Sequence, residues 1–301
     1  MPHGKLETWQ DCEDFVRGCL FMGTGGGGSP EWGLRMLKSA LEDGLTLEWT
    51  DVDDIPDDVW TASPYGMGSI APPSQETLNE IARLGLVSQF GDSSMAEAVK
   101  EWESYLGQPV GCLVVAELGA GNTPAPLVIG AHLGIPVADG DYAGRAVPQE
   151  MQTTLYLAGK KFYPFASVDK WGNVTIVKHA VSPHMVERIG KMLAVAAYGS
   201  TAMASTPLPA HEMKEVRIRG TLTKCLALGR SMRQAREVGQ DPIEAALEVT
   251  GGWRLFEGIV SGKEWVDQGG YMVGTNHITG GGDTKSRRST YGSRTKTTSR
   301  G

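Results

Sequence analysis

The chain is poor in cysteine. Its four cysteines, Cys12, Cys19, Cys112 and Cys225, form no C-x-x-C pair. That spacing argues against a zinc ribbon or a disulfide framework and predicts free thiols in a reducing cytoplasm. No apolar run reaches the ~20 residues needed to cross a bilayer. Residues 1–9 are polar, so neither a membrane span nor a signal peptide is expected. H-x-H, H-E-x-x-H and G-x-S-x-G are all missing, which disfavours a zinc-protease-like site and a serine-hydrolase elbow. A formal net charge of -7 argues against broad nucleic-acid binding.

Glycine, by contrast, is abundant, at 40 of 301 residues. Hydrophobic residues make up 41% and charged residues 21%, ordinary values for a globular chain long enough for two modest domains. The last stretch differs. Past Ile278 there is no Val, Leu, Met or Phe, and Lys285, Arg287, Arg288, Arg294, Lys296 and Arg300 stand against Asp283 alone. Such a tail, 279–301, cannot bury a face and is expected to be disordered.

The densest glycine cluster is 23–31, GTGGGGSPE. Glycine adds no side chain and loses the most backbone freedom on folding, so this run suits a sharp turn or a close approach rather than a core. Ser29 is a good helix N-cap, and Pro30 fits the first helical position. A glycine loop that opens a helix presents N–H groups at the positive end of its dipole, a site for an anion or a polarised oxygen. A phosphate-binding P-loop is disfavoured because Ser29 stands where its lysine must be. Gly23, Gly25 and Gly28 do match the dinucleotide fingerprint, with a strand ending near Asp51. The segment before them, however, reads as a helix over 8–20 rather than a buried strand.

Helices are also expected over 30–42, 76–84, 95–106, 182–197, 221–238 and 242–249, with a further one opened by Thr123 and Pro124 and closed by Gly134. Strands are expected over 45–50, 59–65, 110–118 and 135–138, and a hairpin over 165–177. Residues 110–118 (VGCLVVAEL) are apolar throughout, as a central strand buried on both faces would be. A strand, a loop, a helix and a second strand in that order predict an α/β fold with a mixed, partly parallel sheet in an N-terminal domain, 6–170. A mixed, β-rich domain would follow over 171–278. Sites in such sheets lie beyond the carboxyl ends of the strands. Glu117 and Asn122 fall at one such end, and Asp139, Asp141, Arg145 and Glu150 at the next.

Closely spaced carboxylates can divide into acid and base as their pKa values separate. Asp139 and Asp141 could instead hold a hard divalent cation, the one metal reading left open. The alternative is a solvated loop with a structural Arg–Asp pair. His132 is expected to pack in its helix, and Cys112 to be inert within its strand. Cys225, beside Lys224, reads as a packed thiol more readily than as a reactive one.

Four stretches in order, 23–28 (GTGGGG), 116–122 (AELGAGN), 139–148 (DGDYAGRAVP) and 220–229 (GTLTKCLALG), resemble the S-methyl-thiohydantoin desulfurase-like family, which often accompanies hydantoinase/oxoprolinase proteins. The resemblance runs from about Leu6 to Ile278. It implies an α/β N-terminal domain, a β-rich C-terminal domain, and hydrolysis of a C–S or amide-like bond in a small five-membered ring. On that reading Glu117, Asp139 or Asp141 would activate water, with Arg145 completing the catalytic group. Asn122, Glu150 and the loop of Gly25, Gly26, Gly27 and Gly28 would bind the ring. The basic tail departs from the family, so the C-terminal domain reads as incomplete and the tail as out of frame. Two other functions stay open: a non-catalytic partner subunit of a hydantoinase/oxoprolinase, and a dinucleotide-binding oxidoreductase using NAD or NADP. A homo-oligomer is also left open.

Overall fold

The computed structural model describes residues 2–69 and 71–280. Strand β1 (Pro2–Leu6) leads into helices α1 (Trp9–Gly23) and α2 (Pro30–Glu42). Strands β2 (Leu47–Thr50) and β3 (Trp60–Gly68) follow, then helices α3 (Gln75–Arg83) and α4 (Ser94–Leu106). Next come β4 (Val110–Val115), α5 (Pro124–Leu133), β5 (Val137–Asp141), the short α6 (Thr154–Leu157), and the hairpin β6 (Phe165–Val168) and β7 (Val174–Val177). The second half comprises α7 (Pro183–Ala196), β8 (Ser200–Pro209), α8 (Ala210–Val216), β9 (Ile218–Arg219), α9 (Thr221–Glu237) and α10 (Pro242–Thr250). A long hairpin, β10 (Gly258–Gln268) and β11 (Tyr271–Gly280), completes it.

Local chemistry accounts for several of these boundaries. Thr8 Oγ1 accepts the Asp11 N–H at 3.1 Å while Asp11 Oδ2 accepts the Thr8 N–H at 3.0 Å, a reciprocal capping box that starts α1. Ser29 accepts the Trp32 N–H at 3.2 Å and starts α2 with Pro30 at its first position. Along β4, Leu113 and Val115 face one core and Cys112 and Val114 the other, so the uninterrupted apolar run follows from burial on both faces.

The main sheet runs β1-β2-β5-β4-β3-β8-β6-β7, with β9 pairing on β5. Its centre is parallel, β2 to β5 to β4 to β3, and its flanks are antiparallel. This is the mixed, partly parallel α/β sheet expected. One core packs beneath α1, α2, α4, α5 and α9, and the other beneath α6, α7 and α8. Strand β8, from the second half, lies between β3 and β6, so both halves build one sheet. The β10–β11 hairpin forms a separate two-stranded antiparallel sheet.

Three expectations are revised. The strand expected over 135–138 is β5, Val137–Asp141, which draws Asp139 and Asp141 out of the loop and into the sheet. His132, expected to pack, is exposed in the last turn of α5. Strand β11 continues to Gly280, past the start of the expected disordered tail, and residues 281–301 of that tail lie outside the described residues. All four cysteines are free and buried, and burial pushes Cys12 and Cys112 up to about 12, the inert behaviour foreseen for Cys112.

Candidate active site

The glycine run bridges α1 and α2. Thr24 closes α1 in a left-handed conformation, φ 50. Gly27, φ 70, turns its carbonyl onto the N–H groups of Gly121 at 2.9 Å and Asn122 at 2.8 Å. A Cβ on Gly27 would sit 2.6 Å from the Gly119 α carbon, and one on Gly28 would sit 3.0 Å from that of Gly121. The run therefore does make a close approach, to the second glycine loop after β4. Among the described residues, the amides of Gly25, Gly27 and Gly28 donate to no protein group. These glycines line a cavity of about 930 Å³ at the carboxyl ends of β3 and β4.

Glu117 lies two residues past β4 on the cavity wall. Its Oε1 accepts the Asn122 amide at 2.8 Å and its Oε2 accepts the Val147 N–H at 2.6 Å. Burial lifts its pKa to about 7, against the pull of those two donors. Asn122 also spans to β3: its Oδ1 accepts the Gly66 N–H at 2.9 Å and its amide reaches the Gly66 carbonyl at 3.3 Å. Arg145 stands exposed at the rim, its Nη1 on the Ala146 carbonyl at 3.0 Å, and forms no ion pair among the described residues.

A second carboxylate centre lines the same cavity. The Tyr65 hydroxyl donates to Glu150 Oε1. The Glu150 N–H donates to Glu187 Oε2 at 3.0 Å, and Tyr271 on the long hairpin donates to Glu187 Oε1 at 2.6 Å. Lys191, one turn along α7, donates to the Gly68 carbonyl at 3.1 Å and sits 4.4 Å from the Tyr271 ring centre. Burial lifts Glu150 to about 8; the Tyr65 hydrogen bond opposes this and Glu187 adds to it. Burial lowers the Lys191 ammonium, while Glu187, Glu117 and Glu150 hold it up.

The backbone is strained beside this centre. Ser63 pairs with Ser205 but Thr61 with Leu208, so two residues of β8, Thr206 and Pro207, stand opposite the single residue Ala62 of β3. The bulge places Thr206 at φ 67, a left-handed conformation rare for a β-branched residue, on the cavity wall. Such strain costs about 1–3 kcal/mol and collects at functional sites.

Two family comparisons agree with the motif order. The S-Me-THD-like N-terminal domain matches residues 10–179, and the S-Me-THD-like C-terminal domain matches residues 181–296. The chain belongs to the S-Me-THD-like family. A crystal structure of a protein from Chromobacterium violaceum, 21% identical, shares the fold with a TM-score of 0.67 over 90% of this chain and 74% of the other. No curated protein matches the chain significantly. The C-terminal match reaches residue 296, so the expected end of family likeness at Ile278, and the truncation inferred from it, are not supported.

In this S-Me-THD-like chain Glu117, Asn122, Arg145, Glu150 and the loop of Gly25, Gly26, Gly27 and Gly28 converge on one cavity. Asp139 and Asp141 do not. Asp139 accepts the N–H groups of Leu222 at 2.9 Å and Thr223 at 3.2 Å, and so caps the start of α9. Asp141 Oδ2 accepts those of Ala143 at 2.9 Å and Gly144 at 2.7 Å, with burial lifting it to about 6. Both lie in β5, buried and off the cavity, so neither is placed to activate water there. Donor hydrogens already point at both Asp139 oxygens and at Asp141 Oδ2, and Asp141 Oδ1 alone is buried without a partner among the described residues, so the pair does not offer the oxygen set a divalent cation needs. No group of three or more His, Cys, Asp or Glu residues among the described residues is arranged for a metal. The dinucleotide reading also loses its context, because helix α1 and not a strand runs into Gly23.

Tyr65, Glu187, Lys191 and Tyr271 escaped sequence reasoning. One signal was available: Glu187 and Lys191 share a helical face with the buried Val186, Gly190 and Ala194, and charge on an apolar stripe is unusual. Tyr65 and Tyr271 carry no such mark.

Proposed function

We propose that this protein is a hydrolase of small five-membered cyclic amide-like rings, of the S-methyl-thiohydantoin class. The observation that carries the reading is Glu117, a cavity carboxylate clamped by Asn122 and the Val147 N–H and lifted to about 7, poised to accept a proton near neutrality. Water attacks the ring carbon that bears sulfur, and Glu117 takes its proton. The free amides of the glycine loop and the Arg145 guanidinium at the rim bind the ring oxygen, in the ground and transition states alike. The C–S bond then breaks, and the proton held by Glu117 leaves with methanethiol. The test is methanethiol release from S-methyl-thiohydantoin by the purified protein. Release that is unchanged in folded Glu117→Gln would remove Glu117 from the mechanism.

A partner-subunit reading rests on a different observation. The segment 253–266 exposes Trp253, Leu255, Ile259, Val260 and Val266, apolar surface that a hydantoinase-like subunit could cover. Ring hydrolysis that appears only when such a subunit is added would favour this reading over an enzyme acting alone.

A further inference from the structure

We propose that Tyr65 and Glu150 form a proton-donating pair that protonates a ring nitrogen of the bound substrate while Glu117 deprotonates the water. This deepens the hydrolase reading and rests on it. A base alone leaves the reaction short of a donor. As water adds to the carbon, the C=N π electrons move onto nitrogen, and an unprotonated nitrogen would carry a full negative charge.

The pair has the geometry of a proton store. Tyr65 projects from the end of β3 into the cavity and donates to Glu150 Oε1. The other carboxyl oxygen, Oε2, is buried and has no partner among the described residues. An ionised carboxylate with one oxygen desolvated and unpaired is costly, whereas a carboxyl group with its proton on Oε1, toward the Tyr65 oxygen, is neutral and leaves Oε2 an uncharged carbonyl oxygen. Glu187 lies against the Glu150 backbone and makes a second charge at this point unfavourable. Lys191 offsets Glu187 without bonding Glu150, because its ammonium donates to the Gly68 carbonyl. Tyr271 holds the other Glu187 oxygen from the long hairpin. Tyr65 and Glu150 share no hydrogen-bond partner with the Glu117 clamp, so the two centres can hold opposite protonation states in one cavity.

The proton count closes. In the addition step the O–C bond forms, Glu117 accepts one water proton, Tyr65 passes its hydroxyl proton to the ring nitrogen, and Glu150 replaces it. In the collapse step the new O–H returns its proton through Tyr65 to Glu150. The C–S bond breaks onto sulfur, and Glu117 protonates the thiolate. Water and the methylthio ring become the ring carbonyl and methanethiol, with no oxidant or reductant.

Two measurements test this on the full chain. Infrared spectra of the protein at pH 7 are expected to show a carboxylic-acid C=O band that Glu150→Gln removes and Tyr65→Phe shifts. Methanethiol release by the unmodified protein is expected to decline above about pH 8. Folded Glu150→Gln and Tyr65→Phe are each expected to lose about 10²–10⁴-fold in kcat, and Glu150→Gln to lose that high-pH decline. An absent band, or turnover with normal kcat and an unchanged high-pH limb in both variants, overturns the donor pair and leaves the Glu117 reading standing. No methanethiol from the unmodified protein overturns the hydrolase reading and the donor pair with it.

Discussion

Gly27 and Gly119 meet backbone to backbone, so close that a Cβ on Gly27 would lie 2.6 Å from the Gly119 α carbon. That contact joins the loop before α2 to the loop after β4, and it places the free glycine amides beside Glu117. Gly27→Ala is expected to lose about 2–4 kcal/mol, from left-handed strain plus overpacking. Gly25→Ala, at φ 91 but with open space at its Cβ, should lose only about 1–2 kcal/mol. Urea unfolding midpoints compare the two; equal losses would mean the loop contact adds nothing.

Glu117→Gln keeps the side-chain shape, but it turns one of the two accepting oxygens into an N–H group facing the Asn122 amide or the Val147 N–H, and it cannot accept a proton. A loss of about 10²–10⁴-fold in kcat is expected. The fall in activity below about pH 7, where the native carboxylate takes up its proton, should go with it. A pH–rate profile of the residual activity checks both.

Asp139→Ala should act on stability and not on chemistry. The carboxylate caps α9 through the N–H groups of Leu222 and Thr223 and does not line the cavity. Removing it is expected to cost about 1–3 kcal/mol. The folded fraction should retain native kcat, measured below the unfolding transition. A specific loss of kcat would return Asp139 to the catalytic group.

Glu150 makes stability depend on pH in a defined direction. Its folded value, about 8, lies above its ordinary 4.5, so between those values the folded chain holds a proton that the unfolded chain releases. Stability from this group is complete below the lower value and is lost as pH rises to the upper one. Glu117, lifted to about 7, acts in the same sense. Tm is therefore expected to fall from pH 5 to pH 8, and less steeply in Glu150→Gln. Parallel Tm–pH curves for the two proteins would contradict the lifted value.

Arg145→Ala is expected to raise KM with little change in kcat, because an exposed rim cation helps bind ground and transition states alike. Steady-state kinetics separate the two parameters.

Much of this was written locally. The Thr8–Asp11 box and the Ser29–Pro30 start are encoded within a few residues, and the unbroken apolar run of β4 announces a strand covered on both faces. Caps, turns and periodicity act between near neighbours, so they can be read before any tertiary contact exists. That Glu117, Asn122, Arg145 and Glu150 share one edge was legible too, because they follow β4 and β5, adjacent parallel strands; the glycine loop follows helix α1 and reaches that edge through the Gly27–Gly119 contact.

Only the tertiary structure could separate the carboxylates. Asp139 and Asp141 stand close to Arg145 in sequence, yet β5 runs on through them and turns their oxygens onto backbone N–H groups. Glu187 and Lys191, far along the chain, reach the cavity because α7 packs over β3 and β8, and Tyr271 arrives on a hairpin that local patterning gave no reason to place there. Local chemistry sets which segment becomes a helix or strand. Long-range packing decides which buried charge meets which partner, and with it where a proton can be held.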